Sequence, residues 1–479
     1  MAAPKAIGTR LAPLFGPRAR HLSKSLHFAR LPSQRPRTFA VLSALRTDGV
    51  FRGLTDERLP VPWVEVLQRQ RDAQNIELAD TKESVHDLTP RKMRDSYHRV
   101  VLPLGRDPWL SDTYINSSGH IRLGTLLMDL DALTDLIVFK HVGEGYTVVT
   151  AGVDRIEMSH PLTEICDLEY SGMVTYAAGG SSVEITCKVA RARGDDEPSR
   201  PEDLLLTCIF TMVALDPVTR KPVPIPRLVC ETPAEEALFQ TGATRSLARR
   251  AERKTSLLEV APDSEESALI HRIWLQQLTY RDRNHPLRQP PNVVAMSRTQ
   301  LSTAAIMQPQ YRNRHQTMIF GGYHLKQTIE LAFCCAASFA HARPEFVSAD
   351  PCAFRSPVPV GSVLYLTATV VYTDPAVVEE DETDPKTNED GADSANDSDG
   401  DSNSPALTRV HVRVDSKVRE MEHGTARVTG QFHYTFTVPK DVRVLPHTYE
   451  EYMKYIDARR RVRASAKPRQ QPPSPAKTE

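Results

Sequence analysis

Two stretches of the chain carry apolar residues at the three- and four-residue spacing of an α-helix, and each stretch follows a turn that contains glycine. The first begins at Gly124 and has an apolar stripe made of Leu123, Leu127, Leu130, Thr134 and Ile137. The second follows Gly322. Each predicted helix has an acidic residue about two turns from its start, Asp131 in the first and Glu330 in the second.

Downstream of each helix, the pattern changes to the alternation of apolar and polar residues that is typical of β-strands. The first half predicts strands at 172–176, 183–192 and 204–215, and the second half predicts them at 362–372, 408–418 and 426–438. A glycine-containing turn at 177–180 separates the first two of these strands. Strands of this kind in succession indicate an antiparallel sheet.

The two halves match each other in order and spacing. Gly124 and Gly322 lie 198 residues apart, and Pro161 and Pro357, which precede the strands, lie 196 apart. An offset that stays nearly constant over about 100 residues indicates an internal repeat. A long helix followed by antiparallel strands is an α+β unit in which the sheet buries one face against the helix. We expect two such units that pair their sheets edge to edge.

Charge sets three segments apart. Residues 1–47 contain nine Lys or Arg and no acid, interleaved with Leu and Phe, which is typical of a mitochondrial transit peptide. A disordered basic arm that binds RNA or a membrane surface is the alternative. The segment 374–405 contains twelve acids and one base, and it is predicted to be a disordered insertion at a hairpin. The basic tail, 457–479, is also predicted to be disordered.

The remaining boundaries follow from the repeat. They give an N-terminal extension at 48–89, a first unit at 90–220, a helical linker at 221–289 and a second unit at 290–450. Within the linker, Thr232, Pro233 and Glu235 have the order of a cap, a first-turn proline and a capping glutamate. We therefore expect a helical segment from there to about residue 280, with a break.

Composition excludes several classes of protein. The chain of 479 residues has 60 basic and 60 acidic residues, and this balance argues against a dedicated nucleic-acid binder. No apolar run approaches the roughly 18 residues of a transmembrane helix. The seven cysteines are odd in number and show no Cys-x-x-Cys spacing, so neither a disulfide framework nor a zinc site is predicted.

The second helix start carries a more specific motif. Asn313-Arg314-His315 stands ahead of Ile319-Phe320-Gly321-Gly322, and Asp131 lies on the helix of the other half. This layout resembles the tandem hotdog acyl-CoA thioesterases, and among them the mitochondrial acyl-CoA thioesterase 9 type. The resemblance covers roughly 90–220 and 290–450 and implies a double hotdog fold. The first motif is weaker, because Leu123 replaces the first glycine of the usual pair.

The resemblance also implies a function and a site. The expected reaction is hydrolysis of acyl-CoA to free fatty acid and coenzyme A in the mitochondrial matrix, without metal or cofactor, by a homo-oligomer. Backbone N–H groups at a helix start can hold the oxyanion, and a carboxylate can activate water. The expected catalytic residues are Asp131, Asn313, His315 and Glu330. The expected substrate-binding residues are Gly124, Gly321, Gly322 and His120.

The copies differ, and this difference favours one pairing. Asp131 follows Gly124 by seven residues, the spacing of the family's carboxylate, whereas Glu330 follows Gly322 by eight. One step rotates a side chain by roughly 100° around a helix. We therefore favour Asp131 with Asn313 and the Gly321-Gly322 turn, and expect the reciprocal site to be degenerate. Alternatives are an outward-facing Asp131, a surface pair of Glu330 with Lys326, and a turn role for Asn313.

Two other functions stay open from the sequence. A hotdog hydratase or dehydratase would place an Asp/His dyad at close spacing on the helix, and neither predicted helix shows one. A non-catalytic acyl-CoA-binding protein would share the fold, because fold alone does not establish activity. The combination of Asp131, Asn313 and the double glycine favours the hydrolase.

Overall fold

The computed structural model describes residues 49–75, 87–143, 145–158, 165–195, 197–217, 219–252, 257, 259–282, 284, 289–377, 407–422 and 424–466. The predicted transit peptide, Pro161 and most of the acidic insertion lie outside the described residues. The described helices are α1 (Arg52–Arg58), α2 (Trp63–Asn75), α3 (Pro108–Tyr114), α4 (Leu123–Val142), α5 (Pro233–Glu252), α6 (Ser264–Arg281), α7 (Gly321–Ala340) and α8 (Tyr449–Ala466).

In each repeat, most of the strands come after the central helix, in the order that the repeat predicts. The described strands are β1 (Arg91–Lys92), β2 (His98–Leu102), β3 (Thr147–Val153), β4 (Ile156–Met158), β5 (Leu168–Tyr176), β6 (Ser182–Arg191), β7 (Leu204–Leu215), β8 (Leu228–Val229), β9 (Val293–Ala295), β10 (Leu301–Ile306), β11 (Glu345–Ala349), β12 (Cys352–Phe354), β13 (Val363–Asp374), β14 (Thr408–Arg419), β15 (Ala426–Val438) and β16 (Arg443–Leu445). All six strands predicted from the alternating pattern are confirmed.

Twelve strands, six from each repeat, form one antiparallel sheet. Its order is β10-β13-β14-β15-β11-β4-β7-β6-β5-β2, and β3 and β12 pair with each other and link β7 to β15. The two repeats therefore join through the β4–β11 and β3–β12 pairs, which confirms edge-to-edge pairing. The edge strands β2 and β10, which precede the central helices, were missed because five or six residues give too little alternation to detect.

The central helices α4 and α7 lie against each other inside the sheet, and they run antiparallel. Gly124, at the start of α4, faces Lys326 and Ile329 of α7, whereas Gly322, at the start of α7, faces Met128 and Asp131 of α4. The described residues thus form the two hotdog units of an α+β double hotdog. Each helix start meets the middle of the opposite helix, and this crossing positions the candidate site.

The first central helix is buried on every side from Gly124 to Thr134. Leu126, Leu127, Leu130 and Leu133 have no exposed surface, and neither has Asp129 or Asp131 between them. The Asp129 carboxylate accepts hydrogen bonds from the Tyr114 hydroxyl at 2.6 Å, the Tyr170 hydroxyl at 3.1 Å and the Phe51 amide at 2.9 Å. Asp129 is therefore a structural acid that ties the N-terminal extension to the core. The outward-facing alternative for these acids is wrong.

The linker forms the helices that the sequence predicts, α5 and α6. The cap is also present, because the Thr232 hydroxyl accepts the Glu235 amide at 3.2 Å. The prediction that disorder begins at residue 457 is wrong, since α8 continues to Ala466 and buries Ile456 and Ala458. The acidic stretch 374–405 likewise begins later than predicted, because Asp374 ends β13 and Val377 is buried.

The strands on either side of the acidic insertion pair as a hairpin. Asp374 lies opposite Arg409, so the insertion joins the ends of two adjacent antiparallel strands, as the first repeat predicts. All seven cysteines are free thiols. Within the described part of the chain, no helix combines the length and apolar character that crossing a membrane requires.

Candidate active site

The Asp131 carboxylate of the first repeat binds the helix start of the second repeat. Its Oδ2 accepts the backbone N–H of Gly322 at 2.7 Å, and its Oδ1 accepts the hydroxyl of Thr150 at 2.8 Å. The N-terminus of α7 has unpaired N–H groups and the positive end of the helix dipole, both of which stabilise an anion. The structure therefore brings Asp131 to the Gly321-Gly322 turn, the pairing favoured from the sequence.

Glycine is required where the helices cross. A Cβ at Gly322 would lie 2.8 Å from the Asp131 Cβ and 2.8 Å from the Met128 Cα, closer than real Cβ atoms approach. A Cβ at Gly321 would lie 3.0 Å from the Thr150 Cβ. The double glycine thus lets the backbone of α7 reach the carboxylate.

Burial and hydrogen bonding act on Asp131 in opposite directions. Burial raises the pKa of the Asp131 carboxyl to about 6 from its usual value of 3.8. The hydrogen bonds from Gly322 and Thr150 and the charge of Arg58 oppose this rise and favour the ionised form. A carboxyl with a pKa near 6 is ionised at pH 7 and is basic enough to act as a general base.

A cavity of about 280 Å³ lies beside this contact. Apolar side chains from β3, β7 and the chain between Met307 and Val358 form most of its wall. Asp131 itself is fully buried behind the wall, where Thr150 and Gly321 separate it from the cavity. The polar side chains that line the cavity are Asp135, Thr150, Asn313, His324, Arg355 and Ser356.

Asn313 lies on this cavity wall, in the turn that leads to α7. Its backbone N–H donates to the Met318 carbonyl at 2.7 Å, and its backbone carbonyl accepts from Gln316 at 3.0 Å, so the turn is closed by its main chain. The side-chain Oδ1 is buried and has no hydrogen-bond partner among the described residues. A buried polar atom without a partner is costly, and a ligand or water in the cavity can pair with it.

Asp135, one helical turn after Asp131, is a cavity residue that the sequence analysis did not select. Burial raises its pKa well above 3.8, and the neighbouring Asp131 raises it further, whereas Arg58 and Arg314 lower it. Two nearby carboxyls do not both ionise readily. We therefore take Asp131 as the ionised member and Asp135 as the protonated one. The sequence offered no signal for Asp135, because the spacing of the family's carboxylate selects Asp131 alone.

Thr150 and Arg58 were also missed. Thr150 occupies one position of a β-branched strand and looks like an ordinary sheet residue until its contact with Asp131 is seen. Arg58 lies far from every motif, in the N-terminal extension. Among the described residues, no group of three or more His, Cys, Asp or Glu side chains is placed to hold a metal ion.

His315 does not have the place that a general base requires. Its Nε2 accepts the backbone N–H of Val148 at 3.0 Å, and it does not line the cavity. Burial, followed by the charges of Arg314 and Arg220, lowers its pKa to about 4. His315 is therefore neutral, with its basic nitrogen occupied, and it links the second repeat's turn to β3 of the first.

The reciprocal site lacks a carboxylate at the helix start. Ile329 occupies the position that faces Gly124, where a Cβ would lie 3.2 Å from the Ile329 Cγ2. Glu330 pairs with the side chain of Arg122, the residue before α4, at 2.6 Å, with 42% of its own side chain exposed. His120 is exposed in a surface turn. The structure thus brings neither Glu330 nor His120 to Gly124, and the shift of one residue in spacing has the effect expected from helix geometry.

The fold and the site together define a double hotdog protein, in which two hotdog units share one sheet. A carboxylate of one unit is held by the helix start of the other, and the described residues contain one site of this kind. No family model matches the sequence. The chain is 34% identical over 390 residues to mouse mitochondrial acyl-coenzyme A thioesterase 9, covering 80% of each chain. It is 34% identical over 392 residues to the human mitochondrial acyl-coenzyme A thioesterase 9, again covering 80% of each.

Solved structures give a shorter match. A mutant acyl-CoA hydrolase from Staphylococcus aureus in complex with coenzyme A is 25% identical, covers 40% of this chain and 99% of that chain, and has a TM-score of 0.30. The extent of the similarity to the curated relatives shows the family. The chain belongs to the acyl-coenzyme A thioesterase family.

Proposed function

We propose that this acyl-CoA thioesterase hydrolyses its substrate at the site formed by Asp131, Thr150, Asn313 and the start of α7. The observation that carries the proposal is the 2.7 Å hydrogen bond from the Gly322 N–H to the Asp131 carboxylate. It holds an ionised base at the junction of the two repeats, next to a cavity with apolar walls. Acyl-CoA has the apolar chain and the reactive carbonyl that such a cavity and base suit.

The reaction begins with a water molecule in the cavity. Asn313 Oδ1, which has no partner among the described residues, accepts one hydrogen of this water and orients it. As the water oxygen bonds to the thioester carbon, its proton passes to the Thr150 hydroxyl, and the Thr150 proton passes to Asp131. This relay accounts for a base that is buried behind the cavity wall.

The attack of water gives a tetrahedral intermediate, which then breaks down with loss of the sulfur-bearing group. The C–S bond breaks, coenzyme A leaves as a thiolate and the fatty acid is formed. Because a thiol has a pKa of about 8.5, the thiolate leaves without a strong general acid. The proton held by Asp131 returns to the thiolate or to solvent, and the site is restored. The Gly322 N–H keeps its hydrogen bond to the carboxylate, so its role is to hold the base, in place of the oxyanion role expected from the sequence.

Replacement of Asp131 by Asn tests the proposal. Asn keeps the shape and removes the base, so we expect Asp131→Asn to lower kcat by about 10²–10⁴-fold. Thr150→Val, which removes only the hydroxyl, should also lose most of kcat. The matched control is Glu330→Gln, which should stay within about twofold of the wild type. Release of free thiol from acyl-CoA measures all three, and an Asp131→Asn enzyme within twofold of wild type rules the proposal out.

Stability separates a lost base from a lost fold. Because the pKa of Asp131 is raised on folding, its contribution to stability is fully present below pH 3.8 and is lost as the pH rises through about 6. Asn carries no such charge. The Asp131→Asn protein should therefore have a melting temperature at pH 7 that is equal to or above that of the wild type.

Location is argued from the relatives and the first 47 residues, and assembly from the exposed surface. Curated relatives are named as mitochondrial proteins, and the basic, acid-free segment 1–47 has the composition of a transit peptide, so we assign the protein to mitochondria. The matrix is the finer proposal, which a protease-protection assay on fractionated mitochondria tests. A homo-oligomer of double hotdog subunits is also proposed. Exposed Trp274, Leu275 and Leu278 on α6 are the kind of surface that subunits cover, and analytical ultracentrifugation decides it.

A further inference from the structure

A buried arginine from the N-terminal extension reaches the candidate site. Arg58 is the last residue of α1, and only 2% of its surface is exposed. Its guanidinium lies over the Phe320 ring, 4.2 Å from the centroid, directly before the double glycine of α7. It also donates to the backbone carbonyls of Arg312 and, at 3.5 Å, of Gln310. Arg58 thus contacts both ends of the turn that carries Asn313.

The contact is reciprocal, so the extension and the turn hold each other. Arg312 in the turn donates to the Val61 carbonyl at 2.5 Å, and its guanidinium lies 5.5 Å from the centre of the Trp63 ring. On the other side, the Phe51 amide donates to Asp129 of α4 at 2.9 Å. The extension therefore joins α4 and the Asn313 turn, which belong to different repeats.

The charge of Arg58 lies among acids. Of the three carboxyls of α4, it acts on Asp131 and Asp135, and it lowers the pKa of both against the effect of burial. The charged and titratable groups that face these two carboxyls are Arg58 from α1, Arg314 from the turn, Cys187 from β6 and Cys208 from β7. Burial raises the pKa of both thiols and lowers that of His324, which lines the cavity with Asp135, so the cations here are Arg58, Arg314 and the cavity-lining Arg355.

We propose that Arg58 is a positioning residue of the thioesterase site, which fixes the Asn313 turn against α4 and keeps Asp131 ionised. The proposal rests on the proposed role of Asp131 as the base. It makes the N-terminal extension part of the catalytic centre, although the extension lies outside both repeats. The ordinary alternative is that Arg58 is only an anchor for α1, with no influence on the acids.

A pH profile distinguishes the two roles. In the wild type, kcat/KM should fall as the pH drops through about 6, where Asp131 takes up a proton. This fall is the acidic limb of the pH profile. Loss of a neighbouring positive charge raises the pKa of an acid, so Arg58→Met should move the acidic limb upward by about one pH unit. At pH 6.5 the loss in kcat/KM should be several-fold, and part of it should be recovered at pH 8.5. An anchor alone would lower activity equally at both pH values.

Arg58→Lys separates the charge from the contacts. Lysine keeps the positive charge but lacks the planar group that stacks on Phe320 and donates to two carbonyls. The limb should stay near pH 6, while kcat falls several-fold at every pH because the turn is held less firmly. The matched control is Arg52→Met, which changes an exposed arginine of the same helix that pairs with Asp56, and it should leave both quantities unchanged.

The outcomes are distinct. An unshifted acidic limb in Arg58→Met, with a melting temperature close to that of the wild type, overturns the proposal. If Arg58→Met does not fold, Arg58→Lys decides alone, and a wild-type kcat in that variant overturns the proposal. Full activity of Asp131→Asn would instead show that the proposed base is wrong, whatever the result at Arg58.

Discussion

The starts of the two central helices occupy equivalent positions in the two repeats, but one meets a carboxylate and the other meets an apolar side chain. At the start of α7, Gly322 donates its N–H to Asp131 at 2.7 Å. At the start of α4, Gly124 meets the apolar Ile329, which follows Gly322 by the same seven residues that separate Asp131 from Gly124. The repeat has therefore kept the close helix crossing at both ends and a carboxylate at one end.

The strands beside the helices show the same difference. Both repeats have an irregularity at the same place in the strand after the helix, between Thr150 and Gly152 in β3 and between Phe346 and Ser348 in β11. Matching them places Phe346 where the first repeat has Thr150. An acid and a hydroxyl in one half thus correspond to two apolar side chains in the other. Apolar packing is enough to stabilise the second pair, so the close crossing of the two helices does not by itself require reactive side chains.

The turns before the helices complete the comparison. Asn116 and Asn313 each make two main-chain hydrogen bonds within their turn, one through the N–H and one through the carbonyl. The second turn is one residue longer. Asn116 uses its Oδ1 to accept the amides of Ser118 at 2.9 Å and His120 at 3.1 Å. Asn313 Oδ1 has no partner among the described residues. One asparagine thus uses its side chain within its turn, and the other has a buried side-chain oxygen that the turn does not use.

The largest expected difference between the two halves is at the glycines. Gly322→Ala would place a Cβ 2.8 Å from the Met128 backbone, which cannot move aside, so we expect a loss of activity above 100-fold and of about 1–3 kcal/mol of stability. Gly124→Ala would place a Cβ 3.1 Å from the Lys326 Cγ and 3.2 Å from the Ile329 Cγ2, so these side chains must shift by only a few tenths of an ångström, and alanine favours the helix. It should retain activity within about threefold. Thiol release and urea unfolding measure both, and equal losses in the two variants would contradict the comparison.

Most of this architecture was predictable from the sequence. Six strands and both central helices follow from periodicity and the repeat, because each depends on neighbours along the chain, whereas the pairing of Asp131 with the Gly321-Gly322 turn came from the resemblance to the hotdog thioesterases. Glu330 and His315 were selected by position near a motif, and three-dimensional contacts decide otherwise: Glu330 is rotated to Arg122, and His315 is bonded to Val148. Arg58 could not be found, since nothing in a one-dimensional pattern relates residue 58 to residue 320.

A smaller effect is expected at the two asparagines. One substitution should lower activity, and the other should lower stability. Asn313→Ala removes the atom that orients water, so kcat should fall by about 100-fold with little change in stability. Asn116→Ala removes two turn hydrogen bonds, so stability should fall by about 1 kcal/mol while kcat stays within twofold. Thiol-release kinetics and urea unfolding separate the two. A stability loss at Asn313 equal to that at Asn116 would mean that both residues are turn residues.

The smallest effect is expected at the hairpins, where the repeats differ most in length. The first repeat joins β5 to β6 through residues 177–181, whereas residues 375–407 separate β13 from β14. Lengthening a loop costs only about 0.6 kcal/mol per doubling, so the insertion is tolerated without stabilising the fold. Replacement of 378–406 by Gly-Gly keeps the buried Val377 and should leave the melting temperature and the KM for acyl-CoA nearly unchanged. The insertion is acidic and would repel the phosphates of coenzyme A if it lay over the site. A several-fold change in KM at low salt, which disappears at high salt, would therefore show that it contributes to the site.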